Sequence, residues 1–221
     1  WLRQGLDAEF PAFRPPTTRN QEELTVNETM GRGLDHFTEG LSRVFRHYAA
    51  ALKPGAPFVF TWHHNDPAAY VPLVVAILDA GLDCTATLPT PAEMSASLHI
   101  ARSKSSVLDS VFVCRKQVGG SDDVSVEKRL QLDIEAMEAA GLKVTEGDLR
   151  CLLAGHVARK TINRLHRSWD PEQNLGRKIA KAYDLLIRIG RGANAPDIID
   201  RLLSKRSPEG NQLEASHATA V

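Results

Sequence analysis

The sequence has few of the features that mark cross-linked or membrane-bound proteins. Its three cysteines, Cys84, Cys114 and Cys151, are far apart. That spacing argues against a disulfide framework or a zinc ribbon and favours a reducing, cytoplasmic compartment. No apolar run approaches the ~20 residues that span a bilayer, and no signal-peptide pattern is present. A formal net charge of zero excludes a uniformly basic nucleic-acid coat but leaves room for a local basic patch.

A strand of unusual composition lies within the segment LKPGAPFVFTWHHND, from Leu52 to Asp66. A Pro-Gly turn leads into three consecutive apolar residues, Phe58 to Phe60, which leave no polar face. Such a run is typical of a strand inside a parallel sheet that is covered on both sides. We therefore predict a central strand from Phe58 to Thr61, buried on both faces. Trp62 to Asn65 would then lie at the carboxyl edge, where such sheets bind ligands.

Helices and strands alternate around this strand up to about residue 118. Apolar residues at three- and four-residue steps predict a helix from Gly33 to Leu52, and Asp66-Pro67 is typical of the start of the next helix. Pro72 predicts a kink or a late start in that helix. Two strands follow, at Cys84–Leu88 and Leu108–Cys114, and we expect them to be antiparallel because no helix separates them. The alternation indicates an α/β sheet.

The remainder of the chain predicts a helical tail whose two halves differ in charge. Ser121–Leu149 carries eight Asp and Glu against three Lys and Arg, whereas Arg150–Arg191 carries ten Lys and Arg against three acids. We divide the chain into an α/β part at 1–118, a helical tail domain at 119–208 and a disordered terminus at 209–221.

Motifs within residues 1–117 resemble one family of enzymes. An amphipathic helix before Leu-Lys-Pro-Gly-x-x-Phe-Val-Phe resembles the entry to strand five of the S-adenosylmethionine-dependent methyltransferase fold. That fold ends in a helix, strand six and an antiparallel strand seven. Three segments are similar to the C-terminal part of prokaryotic adenine-specific DNA methylases of the Asp-Pro-Pro-Tyr type, which carry an uncharacterised N-terminal domain: Phe60–Pro67, Pro91–Met94 and Val113–Arg115. The resemblance implies the C-terminal half of a Rossmann-like class I methyltransferase sheet, strands five to seven.

Two motifs of that family are missing from this sequence. The family holds S-adenosylmethionine with a glycine-rich turn after strand one and places Asp-Pro-Pro-Tyr after strand four, and this chain has neither. Gly31-x-Gly33, Gly119-Gly120 and Gly190-x-Gly192 do not each follow a strand and open a helix, as a cofactor turn should. We therefore expect a fragment that starts at Trp1, whose catalytic and cofactor motifs lie upstream and which is inactive alone.

The residues after the predicted strand are candidates for the pocket that receives a flipped base. The resemblance implies that such residues border the target base, and we take four as candidates: Trp62, His63, His64 and Glu93. The alternative is that the tryptophan belongs to the core, the histidines shape a loop and the glutamate anchors one. Consecutive strand residues point to opposite faces, which argues against a shared metal ion, so no metal site is expected.

Two basic segments are candidates for contact with DNA. The loop from Pro89 to Ser106 combines basic residues with serines that suit phosphate contacts, although a solvated mobile loop has the same composition. A helix over HVARKTINRLHR, from His156 to Arg167, could follow a DNA backbone or simply be a solvated face. The candidate contacts are His99, Arg102, Lys104, Arg159, Lys160, Arg164 and Arg167.

Two classes of function stay open at this point. The resemblance implies the C-terminal segment of a DNA amino-methyltransferase acting on adenine N6, with cytosine N4 also open. The alternative is a non-catalytic nucleic-acid-binding or assembly module built on a degenerate methyltransferase half. A third reading keeps the fold and changes the substrate to RNA or protein. DNA is the expected partner and no membrane is expected.

Overall fold

The computed structural model describes residues 5–11, 14, 24–27, 29, 31–91, 108–116, 124–193 and 195–204. Within these ranges the chain forms a three-stranded sheet with helices packed against it. The strands are β1 (Phe58–Trp62), β2 (Leu82–Pro91) and β3 (Leu108–Lys116). The α-helices are α1 (Leu34–Ala51), α2 (Val71–Asp79), α3 (Val126–Ala139), α4 (Glu146–Leu165), α5 (Leu175–Gly192) and α6 (Ala195–Ser204). None of the described helices is long and apolar enough to cross a membrane.

The sheet has the order β1-β3-β2, and β3 runs antiparallel to both of its neighbours. The prediction that Leu108–Cys114 forms an antiparallel strand is therefore confirmed. β1 and β2 run in the same direction, with β3 inserted between them. A register shift between Cys84 and Ala86 interrupts the β2–β3 pairing near one end.

The prediction of a central strand covered on both faces of a parallel sheet is wrong for the described residues. β1 is an edge strand, its pairing is antiparallel, and its burial alternates. Phe58 and Phe60 are half-buried against Phe45 of α1, at ring-centroid distances of 5.0 and 5.1 Å, whereas Val59 is 52% exposed. The prediction fails because a run of apolar residues does not show which elements lie beside the strand.

The helices cover one face of the sheet, here called the covered face. Phe60 stacks on Phe112 across β1 and β3, and the ring of Tyr70 lies 6.3 Å from that of Phe112. On the opposite face, here called the open face, Val59 pairs with Val113 in register. Leu88 on the open face is 50% exposed. The described part of the sheet is therefore a two-layer arrangement with one apolar face uncovered.

Helix α2 lies at the centre of the helical layer. All nine of its residues are buried, which a helix that is hydrophobic on every side requires. It begins late, at Val71, after a 3₁₀ turn from Pro67 to Tyr70, and Pro72 falls in its first turn. The predicted late start at Pro72 is confirmed. A proline lacks the backbone N–H, and in the first turn of a helix this N–H would have no helical carbonyl to bond, so proline is tolerated there.

The helical tail packs onto the sheet. Fifteen of the 20 residues of α4 are buried, and Gly155 lies directly on Ser110 and Thr87 of the covered face. One continuous hydrophobic core runs from α1 through the sheet to α6. The change in sequence pattern near residue 119 thus marks a change from mixed to helical structure within a shared core. Residues 209–221 lie outside the described residues.

Candidate functional site

The carboxyl end of β1 is shaped by a short turn that stops the strand at Trp62. The carboxylate of Asp66 accepts a hydrogen bond from the backbone N–H of Ala68 at 2.9 Å, and Pro67 opens the 3₁₀ turn behind it. Capping of this kind fixes where the chain leaves the sheet. His63 and His64 therefore occupy the first positions beyond the strand, which ends one residue later than the sequence predicts because Trp62 belongs to β1.

His63 is held by acceptors at the start of β3. Its Nδ1 lies 2.8 Å from Oδ1 of Asp109 and 3.1 Å from the carbonyl oxygen of Leu108. Both partners only accept, so Nδ1 carries the hydrogen and the neutral ring keeps its lone pair on Nε2. The His63 side chain is 40% exposed, whereas that of Asp109 is 20% exposed. This arrangement orients an accessible imidazole as a proton or hydrogen-bond acceptor.

A buried aspartate fixes the backbone that holds His63. Oδ2 of Asp148 accepts from the backbone N–H of Thr145 at 2.8 Å, and the Thr145 hydroxyl accepts from the Asp148 N–H, which together form a capping box at the start of α4. Oδ1 of Asp148 accepts from the N–H of Leu108 at 3.0 Å. The same peptide segment thus binds Asp148 through its N–H and His63 through its carbonyl oxygen.

His64 has a different role from its neighbour. Its Nδ1 accepts from the backbone N–H of Asp66 at 2.9 Å, so the neutral ring carries its hydrogen on Nε2. Its carbonyl oxygen accepts from the hydroxyl of Tyr70 at 3.1 Å, and Cys151 offers that hydroxyl a second acceptor at 3.3 Å. Burial raises the pKa of Tyr70, which keeps the hydroxyl a donor. His64 therefore shapes the turn.

Trp62 is packed on the covered face. Its ring lies 6.4 Å from those of Phe37 and Tyr70, and its Nε1 is buried with no hydrogen-bond partner among the described residues. The partly buried ring packs against the hydrophobic core, as the alternative interpretation of Trp62 expects. Of the four residues proposed for the base pocket, His63 combines fixed orientation with exposure, and Glu93 lies outside the described residues.

The basic helix predicted to contact DNA is partly internal. Arg159 is only 7% exposed, and Lys160 donates to the carbonyl oxygen of Val124 at 3.4 Å. Arg164 and Arg167 are exposed. The burial of Arg159 removes it from any outer basic surface. The candidate loop contacts His99, Arg102 and Lys104 lie outside the described residues.

Sequence reasoning missed two groups of polar residues. Asp109, the partner of His63, sits at an ordinary alternating position of β3, and only the fold brings the two together. Asp79, Trp169 and Lys178 form a buried network that joins α2 to α5: Lys178 Nζ lies 2.8 Å from Asp79 Oδ2, and Trp169 Nε1 donates to Asp79 Oδ1 at 2.9 Å. Asp79 and Lys178 are oppositely charged and lie in helices, but nothing in the sequence indicates that they contact each other.

None of the described glycines with positive φ lies where a cofactor-binding turn requires one. Four glycines of the described residues have positive φ, Gly31, Gly55, Gly81 and Gly141, and none of them lies between the end of a described strand and the start of a helix. A phosphate- or cofactor-binding turn needs that placement. Within the same ranges no group of three or more His, Cys, Asp or Glu side chains is arranged to hold a metal ion.

Comparison of the chain with models of protein families, with curated proteins and with solved structures yields no match. The site consists of an oriented, accessible imidazole at the carboxyl edge of β1, with Asp109 and Asp148 holding it in place.

Proposed function

We propose that this chain is the C-terminal part of a DNA amino-methyltransferase that transfers the methyl group of S-adenosylmethionine to N6 of a flipped adenine. The observation that carries the proposal is the position of β3, antiparallel to both β1 and β2. A helix, a strand and a final antiparallel strand are what the sequence resemblance implies for the end of the methyltransferase sheet. The described chain has this order after β1.

The uncovered parts of the sheet support the same proposal. β1 has one unpaired edge within the described residues, and Val59 and Leu88 on the open face are 52% and 50% exposed. An unpaired strand edge and an apolar sheet face are ordinarily paired or covered. In the proposed intact enzyme, strands encoded upstream extend the sheet beside β1, and upstream helices cover Val59, Val113 and Leu88.

We assign the contact with the target base to His63, which is exposed and oriented at the end of β1. Amino methylation of a base takes the nucleotide out of the duplex and needs acceptors for the amino hydrogens. The Nε2 lone pair of His63 is one such acceptor at the edge of β1, and Asp109 keeps it in the accepting tautomer. Asp-Pro-Pro-Tyr in the upstream part would supply the others. We assign His63 to orientation of the base and the exposed Arg164 and Arg167 to the DNA backbone.

Cofactor binding tests the proposal. Calorimetric titration of S-adenosylmethionine into the isolated chain should give no saturable heat, because the described residues offer no cofactor turn. The same titration on the chain joined to its upstream polypeptide should give one site per molecule. Stoichiometric binding at micromolar affinity by the isolated chain would show that it contains its own cofactor site. There would then be no reason to propose that the cofactor-binding half of the enzyme lies upstream.

A further inference from the structure

A cavity of about 370 Å³ lies between α4 and α5, and His63 is not among the described residues that line it. Its volume falls in the range of small-molecule sites, roughly 300–1,000 Å³. The loop after β1 closes one side through Asn65 and Pro67, and α6 contributes Ile199. The floor consists of aliphatic side chains from both long helices. We call this cavity the α4–α5 groove.

The two ends of the groove differ in chemistry. The short connection from His166 to Asn174 makes α4 and α5 antiparallel neighbours. Arg150 in the first turns of α4 and Arg191 in the last turn of α5 therefore lie at the same end. Val157 and Tyr183 lie toward the other end, about 10 Å away at 1.5 Å per helical residue.

The arginine end of the groove carries an excess of positive charge. The described residues that line the groove include two arginines and no aspartate or glutamate. Glu146 accepts from Nη2 of Arg150 at 2.6 Å and offsets that charge. Arg191 is exposed and forms no ion pair with another described residue. Among the described residues that line the groove, Arg191 is thus a cation with no described carboxylate partner at the mouth of an apolar channel, and this pattern suits a single anionic group.

We propose that the α4–α5 groove binds an amphipathic carboxylate, with its charged end on Arg191 and Arg150 and a hydrocarbon body about 10 Å long on the aliphatic floor. Leu153, Leu186 and Ile187 provide that floor. A planar carboxylate fits the fork of an arginine, and a guanidinium is weakly hydrated, which favours pairing at the edge of an apolar surface. The proposal rests on different side chains from the methyltransferase assignment, because neither the two arginines nor the aliphatic floor of the groove takes part in that assignment.

Octanoate is the probe, because its extended chain is about as long as the groove, ~10 Å. Titration of octanoate into the full chain, followed by amide NMR and calorimetry, should give saturable binding with the largest shifts at Leu153, Val157 and Ile187. Octan-1-ol, which has the same body and no charge, should bind at least about tenfold more weakly, the loss expected for one charge-assisted hydrogen bond.

Two matched variants on α5 separate the groove from general surface charge. Arg191→Gln should weaken octanoate binding about tenfold and leave octan-1-ol unchanged, whereas Arg188→Gln, exposed on the same helix and outside the groove, should leave both unchanged. Because Arg191 is exposed, its substitution leaves the core intact, and the melting temperature checks this. Equal affinity for the acid and the alcohol, an unaltered Arg191→Gln variant, or shifts centred elsewhere would each overturn the proposal.

Discussion

The buried pair between Asp79 and Lys178 gives the sharpest test of how the helical tail is attached to the sheet. The two carboxylate oxygens of Asp79 bind different donors, Lys178 Nζ at 2.8 Å and Trp169 Nε1 at 2.9 Å. The side chains of Asp79 and Lys178 are 2% and 9% exposed. Lys178 Nζ also donates to the carbonyl oxygen of Pro171 at 3.0 Å. Every strong partner of this ion pair is therefore internal.

Lys178→Met should lower the free energy of unfolding by about 3–5 kcal/mol, because it leaves the Asp79 carboxylate buried without its counter-ion. Asp79→Leu should lower the free energy of unfolding by a similar amount, since it removes the counter-ion of the Lys178 ammonium and the acceptor of the Trp169 indole N–H. The double variant should cost about 2 kcal/mol less than the sum of the two, because neither charge is then left alone. Urea unfolding followed by far-UV circular dichroism measures all three.

An exposed ion pair of similar length provides the control. Arg201 and Glu127 lie 2.7 Å apart with side chains 53% and 44% exposed. Arg201→Gln should change stability by less than about 1 kcal/mol. If Lys178→Met costs no more than Arg201→Gln, or if the single effects simply add, the Asp79–Lys178 contact does not hold α5 on α2. The packing of α5 on α2 within the shared core would then be incorrect.

Two further predictions concern the site and the packing of α4. Long-range ¹⁵N–¹H spectra should show His63 with its hydrogen on Nδ1 and His64 with its hydrogen on Nε2, and Asp109→Ala should weaken the preference at His63 alone, because the Leu108 carbonyl oxygen remains as an acceptor; identical tautomers would contradict the site geometry. Gly155→Ala should destabilise the protein by about 1–3 kcal/mol, because the new Cβ would lie 2.6 Å from the Ser110 hydroxyl. Gly190→Ala, with nothing within 4 Å, should instead stabilise α5 by up to about 1 kcal/mol; equal effects in urea unfolding would contradict close packing of α4 on the sheet.

Local signals in the sequence predicted most of the elements. Gly33 and the apolar spacing after it placed helix α1, which runs from Leu34 to Ala51. Asp66-Pro67 marked the turn that leads into α2, and Pro72 marked its late start. Each of these signals acts within a few residues, through capping or a missing N–H, so the chain reveals it without knowledge of the fold.

Features that depend on distant partners could not be predicted. The exposure of Val59 follows from what lies beside β1, and the hydrophobicity of the strand does not report this. His63 and Asp109 are 46 residues apart, and Asp79 and Lys178 are 99 residues apart. The burial of Arg159 follows from α4 packing on the sheet, whereas its charge alone indicated a solvated face. In each case tertiary contacts decided the outcome.

The central claim is that this chain completes a DNA amino-methyltransferase, and methyl transfer tests it most directly. The chain joined to its upstream polypeptide is incubated with S-adenosylmethionine and duplex DNA, and the digested nucleosides are analysed by mass spectrometry. We predict N6-methyladenine from the joined protein, reduced product from its His63→Ala variant and none from the isolated chain. Absence of any methylated base from the folded, cofactor-binding joined protein would contradict the assignment and favour a non-catalytic binding module.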